Sequence, residues 1–359
     1  MSFISIFFPF IIAFLSTVLI TPIALIYIKK WGLIDDPKKH KHPAMLHTKP
    51  VPRGGGISLF FGIFVASILF LPITKTTIAL GVASFISLVV GTLDDKYDLS
   101  RYLRFGINIL CAVIVVGSGV GIPFITNPFG GILPLDSIRF SFSLFGQHSV
   151  LIFSDLLAVL WIVWVMNMLN WSKGVDGQMP GVVAISAIVI GMLSLRFASV
   201  DPINLISVKL SFILAGAALG FLIFNYYPAK IFPGYGATAL YLLLAVVSIL
   251  STAKLATAIL VMGVPMIDGL FTILRRILTG HSPFWGDKKH LHHLLLQVGL
   301  NQRQIALFYW GISALLGAIA LSLTSTGKAF AIIMLLIIVG GGLVFFHIAL
   351  RKTNETKDI

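Results

Sequence analysis

Acidic side chains are scarce in this sequence: 13 Asp and Glu stand against 26 Lys and Arg in 359 residues, and charged residues of both signs make up 11%. So little charge, at a mean hydropathy of +0.99, excludes a soluble globular protein and implies a polytopic membrane protein. With a single cysteine, Cys111, no internal disulfide can form and the redox compartment is not indicated. The first 28 residues have neither a positive charge ahead of the apolar run nor a convincing small-residue cleavage site, which predicts a retained first span and not a signal peptide. Internal repeats are missing, and charged groups near the bilayer midplane are few, which argues against a secondary transporter.

What the chain has in quantity is apolar runs of about 17 to 25 residues, the length a helix needs to cross a bilayer and too long for the alternating strands of a barrel. The expected fold is all-α, with one transmembrane domain over 1–350 and a polar cytoplasmic tail over 351–359. Eleven spans are expected at roughly 4–28, 56–74, 77–93, 104–122, 151–169, 179–197, 207–224, 236–251, 254–274, 304–324 and 328–350, or ten if 236–251 and 254–274 form one bent unit. Alternating the loops between two sides puts 20 of the 26 Lys and Arg on one side; the other keeps Lys75, Arg139, Arg196, Lys209, Lys254 and Lys328. The positive-inside rule makes the first side cytoplasmic, with the N-terminus outside. The net charge of +13 is therefore membrane topology, and no nucleic-acid partner is expected. The outer segment 123–150, with turn signals at Asn127-Pro128 and Gly130-Gly131, reads as a short hairpin or re-entrant loop.

The polar motifs all fall on the basic side. Gly280 to Leu295, G-H-S-P-F-W-G-D-K-K-H-L-H-H-L-L, gathers four of the nine histidines. With Asp287 as cap, Lys288 to Leu296 is expected to be helical, His290 and His293 to share a face beside Lys288 and Lys289, and the histidines to suit a pyrophosphate better than a metal ion. The first loop, 29–55, holds seven Lys and Arg and ends in Arg53-Gly54-Gly55-Gly56, whose backbone N–H groups beside a guanidinium suit phosphate. Asp94, Asp95 and Asp98 concentrate acid at the end of a span, where carboxylates serve a cation or a substrate, or pair with Lys96, Arg101 or Arg104. Asn170 ends another span ahead of S-K-G-V-D-G, which carries Asp176, and F-N-Y-Y-P-A-K-I-F-P-G-Y-G offers aromatics that can stack on a base. Asp268 lies near the inner end of its span, either functional or paired with Arg275 or Arg276.

Taken together, D-D-K-Y-D-L, N-x-x-x-G-x-D-G, F-N-x-x-P-A-K-I-F and S-P-F-x-x-D-x-x-H-L-H-H, in that order and with K-P-V-P-R-G-G-G before them, resemble the polyprenyl-phosphate N-acetylhexosamine-1-phosphate transferases of glycosyltransferase family 4. The H-L-H-H form is more similar to the branch that starts O-antigen, common-antigen and teichoic-acid linkage synthesis than to the related peptidoglycan translocases. The resemblance implies transfer of a sugar 1-phosphate from a UDP-N-acetylhexosamine to undecaprenyl phosphate with release of UMP, in a lipid bilayer, with Mg²⁺ as cofactor and a homodimer as an expected assembly. By motif, Asp94 and Asp95 would activate the lipid phosphate or hold metal, and His290, His292 and His293 would grip the phosphates. Asp176, Asn225 and Phe232 would hold the uridine, Arg53 the phosphate region, and Asn170, Lys173 and Asp268 would line the substrate site.

Two positions depart from the family pattern: Lys173 and Tyr235 each stand where it has Asp, the second at the place of the principal Mg²⁺ ligand. A protonated phenol is a poor ligand for a hard cation. Either the Lys173 ammonium supplies the missing charge, or the chain is a degenerate paralogue that binds polyprenyl phosphate or nucleotide sugar without turning it over.

Overall fold

The apolar runs fold as helices, and the computed structural model describes residues 4–38, 46–127, 130–143, 147–197, 202–250 and 255–355. His40, His42, Pro128 and Lys254, and the tail beyond residue 355, lie outside the described residues. In chain order the elements are α1 (Ile4–Lys30), β1 (Ile34–Asp35), β2 (Val51–Pro52), α2 (Gly56–Phe70), α3 (Lys75–Tyr97) and α4 (Arg101–Val116). Next come β3 (Phe124–Thr126), β4 (Ile132–Pro134), β5 (Arg139–Ser143), β6 (Gln147–Leu151), α5 (Ile152–Trp171), α6 (Gln178–Leu195) and α7 (Pro202–Asn225). A 3₁₀ turn at Tyr235–Ala237 leads into α8 (Thr238–Val247), followed by α9 (Leu255–Val261), α10 (Gly263–Leu278), α11 (Leu291–Gln297), α12 (Gln302–Ser322) and α13 (Ser325–Glu355).

Among the described residues seven helices are long and apolar enough to cross a membrane, or eight if the bent pair α9–α10 is one span, against the ten or eleven expected. Every expected span holds a helix, but α2 has 15 residues, α4 16 and α8 10, short of the roughly 20 that a crossing requires. The junction of 236–251 and 254–274, where one bent unit was the alternative, lies outside the described residues; among those described an 82° bend opens between Val261 and Gly263, inside 254–274. Among the described residues three two-stranded antiparallel sheets qualify the all-α expectation; two of them, β3–β4 and β5–β6, fall in 123–150, where a short hairpin or re-entrant loop was expected. Helix α13 runs through Glu355, past the boundary expected at Arg351.

Long apolar side chains of α1 and α13, such as Leu19, Ile26, Ile338 and Phe345, are exposed, as lipid-facing residues are. Inside the bundle small residues let helices close on one another: a Cβ at Gly62, Gly216 or Gly220 would meet Thr17 or the backbone of α1. Helix α8 is buried on every side. It is apolar all round because it sits in the core, surrounded by other helices. Its leading turn, Tyr235–Ala237, is clasped by two glycines, since a Cβ on Gly56 or Gly91 would overlap the backbone of Gly236. That close approach brings the start of α2 and the last turns of α3 onto one buried turn.

Candidate active site

Helix α3 stops just past its acidic pair because Asp98 turns left-handed at φ 49°, and Ser100 accepts the Leu103 amide at 3.3 Å to start α4. This tight reversal returns Arg104 to Asp94. Its Nη1 lies 3.1 Å from both Asp94 oxygens and 3.9 Å from exposed Asp98. The next carboxylate has a different partner: Arg53 Nε donates to Asp95 Oδ1 at 2.8 Å, and the Tyr235 amide donates to the same oxygen at 2.8 Å. Both aspartate side chains are fully buried, and Asp95 Oδ2 has no hydrogen-bond partner among the described residues. An unsatisfied buried carboxylate oxygen is costly unless a substrate or a proton meets it.

The glycine corner after Arg53 serves another purpose than the one expected. Gly54 and Gly55 donate to the Phe232 carbonyl at 3.2 and 2.9 Å, and Gly56 to the Pro233 carbonyl at 2.8 Å. The amides anchor the 232–234 segment, and the guanidinium of this corner turns to Asp95. Phe232 itself presents its ring to His47, centroids 5.0 Å apart.

Lys173 reaches into the same cluster, its Nζ donating to the Gly234 carbonyl at 2.8 Å. The Tyr235 ring lies between two cations, 5.4 Å from the Arg104 guanidinium carbon and 5.9 Å from Lys173 Nζ, with its hydroxyl accepting from Asn108 Nδ2 at 3.2 Å. Burial pushes the Lys173 ammonium down to about 7; the Arg53 charge acts the same way, against the pull of Asp95 and Asp94. Arg104 and Asn108 are site residues that the sequence motifs did not single out as such. Their one signal was spacing, a cation and an amide four apart on the face of α4.

Asn225 is engaged by backbone at both ends of its side-chain amide. Its Oδ1 accepts the Gly177 amide at 3.1 Å and its Nδ2 donates to the Ile231 carbonyl at 2.9 Å, so the buried amide ties two loops together. Between those loops Asp176 Oδ2 accepts the Ala229 amide at 2.9 Å, and burial raises its carboxyl above the ordinary range. Asn170, in the last turn of α5, keeps a buried Oδ1 without a partner among the described residues.

The histidine segment starts its helix later than expected. His290 is the cap position of α11, and the carboxylate at that helix start belongs to Asp268, whose Oδ1 accepts the Leu291 amide at 2.8 Å and whose Oδ2 lies 2.9 Å from His290 Nδ1. Asp268 therefore pairs with an imidazole and with neither neighbouring arginine. Arg275 and Arg276 both hold Asp287 Oδ2 at 2.9 Å. Burial opposes ionisation of Asp287, but the Arg276 and Lys289 hydrogen bonds hold its carboxyl below the usual range. The His290 and His292 rings are parallel at 5.7 Å, and His292 and His293 lie 4.2 Å apart. Burial, with help from the neighbouring imidazoles, holds His292 well below its ordinary value; burial, then His290 and Lys288, brings His293 down to about 4. Those two rings are uncharged at neutral pH and can meet an anion only as hydrogen-bond donors. The segment is joined to the carboxylates twice: His292 packs on Gly174, next to Lys173, and the Phe284 carbonyl accepts Arg101 of α4 at 3.2 Å.

The residues present do not fit a divalent metal ion. Asp94 has both oxygens on Arg104, one Asp95 oxygen is on Arg53 and the Tyr235 amide, and the Tyr235 hydroxyl is on Asn108. A hard dication needs several oxygen ligands. Of the four oxygens of this buried pair only Asp95 Oδ2 is without a partner among the described residues, and Arg53, Arg104 and Lys173 already bring three cations to the cluster. Among the described residues no three His, Cys, Asp or Glu side chains converge on a metal position, so the assignment of Asp94 and Asp95 as metal ligands does not match this geometry.

The sequence pattern of glycosyl transferase family 4 matches residues 77–252. Over 340 residues, 92% of this chain and 88% of its relative, the sequence is 33% identical to a probable undecaprenyl-phosphate N-acetylglucosaminyl 1-phosphate transferase of Bacillus subtilis (strain 168). It is 31% identical to a decaprenyl-phosphate N-acetylglucosaminephosphotransferase of Mycobacterium tuberculosis (strain ATCC 25618 / H37Rv), over 87% of this chain and 82% of that one. Identity is 28% to the undecaprenyl-phosphate alpha-N-acetylglucosaminyl 1-phosphate transferase of Escherichia coli (strain K12), over 85% and 80%.

Proposed function

Because the chain belongs to glycosyl transferase family 4 and is a phosphoglycosyl transferase of the multi-pass membrane kind, we propose that it transfers N-acetylhexosamine 1-phosphate from a UDP-sugar to undecaprenyl phosphate. UDP-N-acetylglucosamine is the donor favoured by the names of the relatives. The step begins cell-envelope polysaccharide synthesis at the cytoplasmic face of the inner membrane, the side that receives 20 of the 26 Lys and Arg.

The observation that carries this reading is the convergence of Arg53, Arg104 and Lys173 on two buried carboxylates. Transfer between two phosphates asks for alignment and charge neutralisation more than for covalent chemistry. An oxygen of the lipid phosphate attacks the β-phosphorus of the donor, the bond to the bridging oxygen breaks, and UMP leaves with that electron pair. Asp95 Oδ2, free of protein partners, takes the proton of a lipid phosphate monoanion, and the departing UMP takes it up. His290, its Nδ1 held by Asp268, turns Nε2 toward the phosphates, with His292 and His293 as neutral donors. Asp176 and Phe232 flank the uridine, and Asn225 holds their loops in place.

The test is transfer by purified protein in nanodiscs containing undecaprenyl phosphate and labelled UDP-N-acetylglucosamine. Lipid-linked product and UMP should form in equal amounts. Across a panel of UDP-sugars, tight binding without product would favour the alternative of a chain that binds its substrates and does not turn them over, to which Lys173 and Tyr235 would then belong.

A further inference from the structure

Donor pyrophosphate carries two negative charges into the site, and the lipid phosphate adds more. In a site of low dielectric that charge must be met by fixed cations or by a metal ion. Lys173 and Tyr235, the two positions at which the motif resemblance implies Asp, are in contact in the fold. The ammonium is held by the Gly234 carbonyl at 2.8 Å and lies on the face of the Tyr235 ring, whose hydroxyl is fixed by Asn108. Arg104 covers the same ring and grips both oxygens of Asp94. The carboxylate oxygens of the buried pair that could coordinate a cation are mostly taken by arginine, and an ammonium held by the Gly234 carbonyl, with two protons still to give, feels the charge of both aspartates.

Resting on the transferase reading above, we propose that Lys173, propped by Tyr235, supplies the positive charge that would otherwise come from a divalent cation, so that this enzyme binds and cleaves its pyrophosphate donor without metal. Lys173 neutralises the oxygens on which charge gathers as the bond between the α- and β-phosphates breaks, and Arg53 and Arg104 keep the two aspartates from recruiting a metal ion. The atoms exchanged are those of the transfer already described, with no further reactant.

Three measurements on the full-length protein in nanodiscs test this. Calorimetric binding of UDP-N-acetylglucosamine should be the same within about twofold in Mg²⁺ and in EDTA; a weakening of tenfold or more in EDTA overturns the proposal. Mn²⁺ titrated into the protein and followed by electron paramagnetic resonance should remain free, whereas the double variant Lys173→Asp, Tyr235→Asp should take it up; stoichiometric Mn²⁺ on the unaltered protein again overturns it. Lys173→Met should lose at least tenfold in metal-free donor affinity and Lys173→Arg should keep most of it, with melting curves confirming that both fold; a methionine variant that binds normally in EDTA contradicts the assignment. Donor binding that requires Mg²⁺ would refute metal independence and leave the transferase reading intact. A protein that binds no UDP-sugar under either condition would refute the transferase reading itself.

Discussion

Asp268 Oδ2 lies 2.9 Å from His290 Nδ1 while Oδ1 of the same carboxylate accepts the Leu291 amide at 2.8 Å, so one buried acid orients an imidazole and starts the helix bearing the other two histidines. With a carboxylate as acceptor, His290 donates its Nδ1 proton to Asp268. In Asp268→Asn the carbonyl stays with the Leu291 amide and the NH₂ faces Nδ1, which selects the opposite tautomer. Turnover should fall by about 10²-fold or more, the scale on which tautomer control matters in other enzymes. Donor KM and melting temperature should change little. A variant with parental kcat would show that the orientation of His290 has no part in the reaction.

Gly234 is confined twice over. Its φ of 67° disfavours any side chain, and a Cβ would collide with the Asp95 carboxylate. Gly299, at φ 99° with open space around it, has the first constraint alone. Gly299→Ala should therefore cost about 1 to 2 kcal/mol of stability and leave transfer intact, whereas Gly234→Ala should also displace Asp95 and abolish transfer. Comparing melting curves and rates of the two variants separates strain from displacement; equal rates would mean that Asp95 does not need its observed position.

Much of the site was legible because ionisable residues are conspicuous in apolar sequence: Asp94 and Asp95 at a helix end and three histidines in four positions declare themselves. Their partners were not. The grip of Arg104 Nη1 on both Asp94 oxygens depends on a left-handed Asp98 and a Ser100 cap between them, and the closure of Gly56 and Gly91 on Gly236 joins segments with no local signal in common. The shortness of some helices was hidden for a related reason. Helix α8 is as apolar as a membrane crossing because it is surrounded by other helices, and hydropathy cannot tell immersion in protein from immersion in lipid. Asn225 looked like a ligand contact because it stands in a polar motif, yet both ends of its amide are engaged by backbone.

The histidine pair makes stability depend on acid. Burial first, then the charges of His290 and Lys288, hold folded His293 at about 4, below its ordinary 6.5, and His292 is lowered in the same sense. Between about pH 6.5 and 4 the unfolded chain binds more protons at these sites than the folded one, so stability rises with pH across that window and is lost as pH falls. Asp176, whose carboxyl is raised by burial, works in the opposite direction. The melting temperature of the protein should drop from pH 6.5 toward 4, and His293→Gln should flatten part of the slope. Identical slopes in the two proteins would mean that His293 titrates normally in the folded state.

Asn225 offers a case in which a conservative change should do more harm than a truncation. Its Oδ1 accepts from Gly177 and its Nδ2 donates to Ile231, with the side chain buried at 3% exposure. Asn225→Ala leaves one amide and one carbonyl without their partner, at about 1 to 3 kcal/mol for each group that water cannot reach. Asn225→Asp restores the acceptor for Gly177 but turns a carboxylate oxygen toward the Ile231 carbonyl, setting acceptor against acceptor with a charge that burial penalises. The aspartate variant should melt lower than the alanine variant at neutral pH and recover as pH falls far enough to protonate it. Because both loops border Asp176, donor KM should rise in both variants with a smaller change in kcat. A rise in KM without any loss of stability would instead return Asn225 to the role of a direct uridine contact.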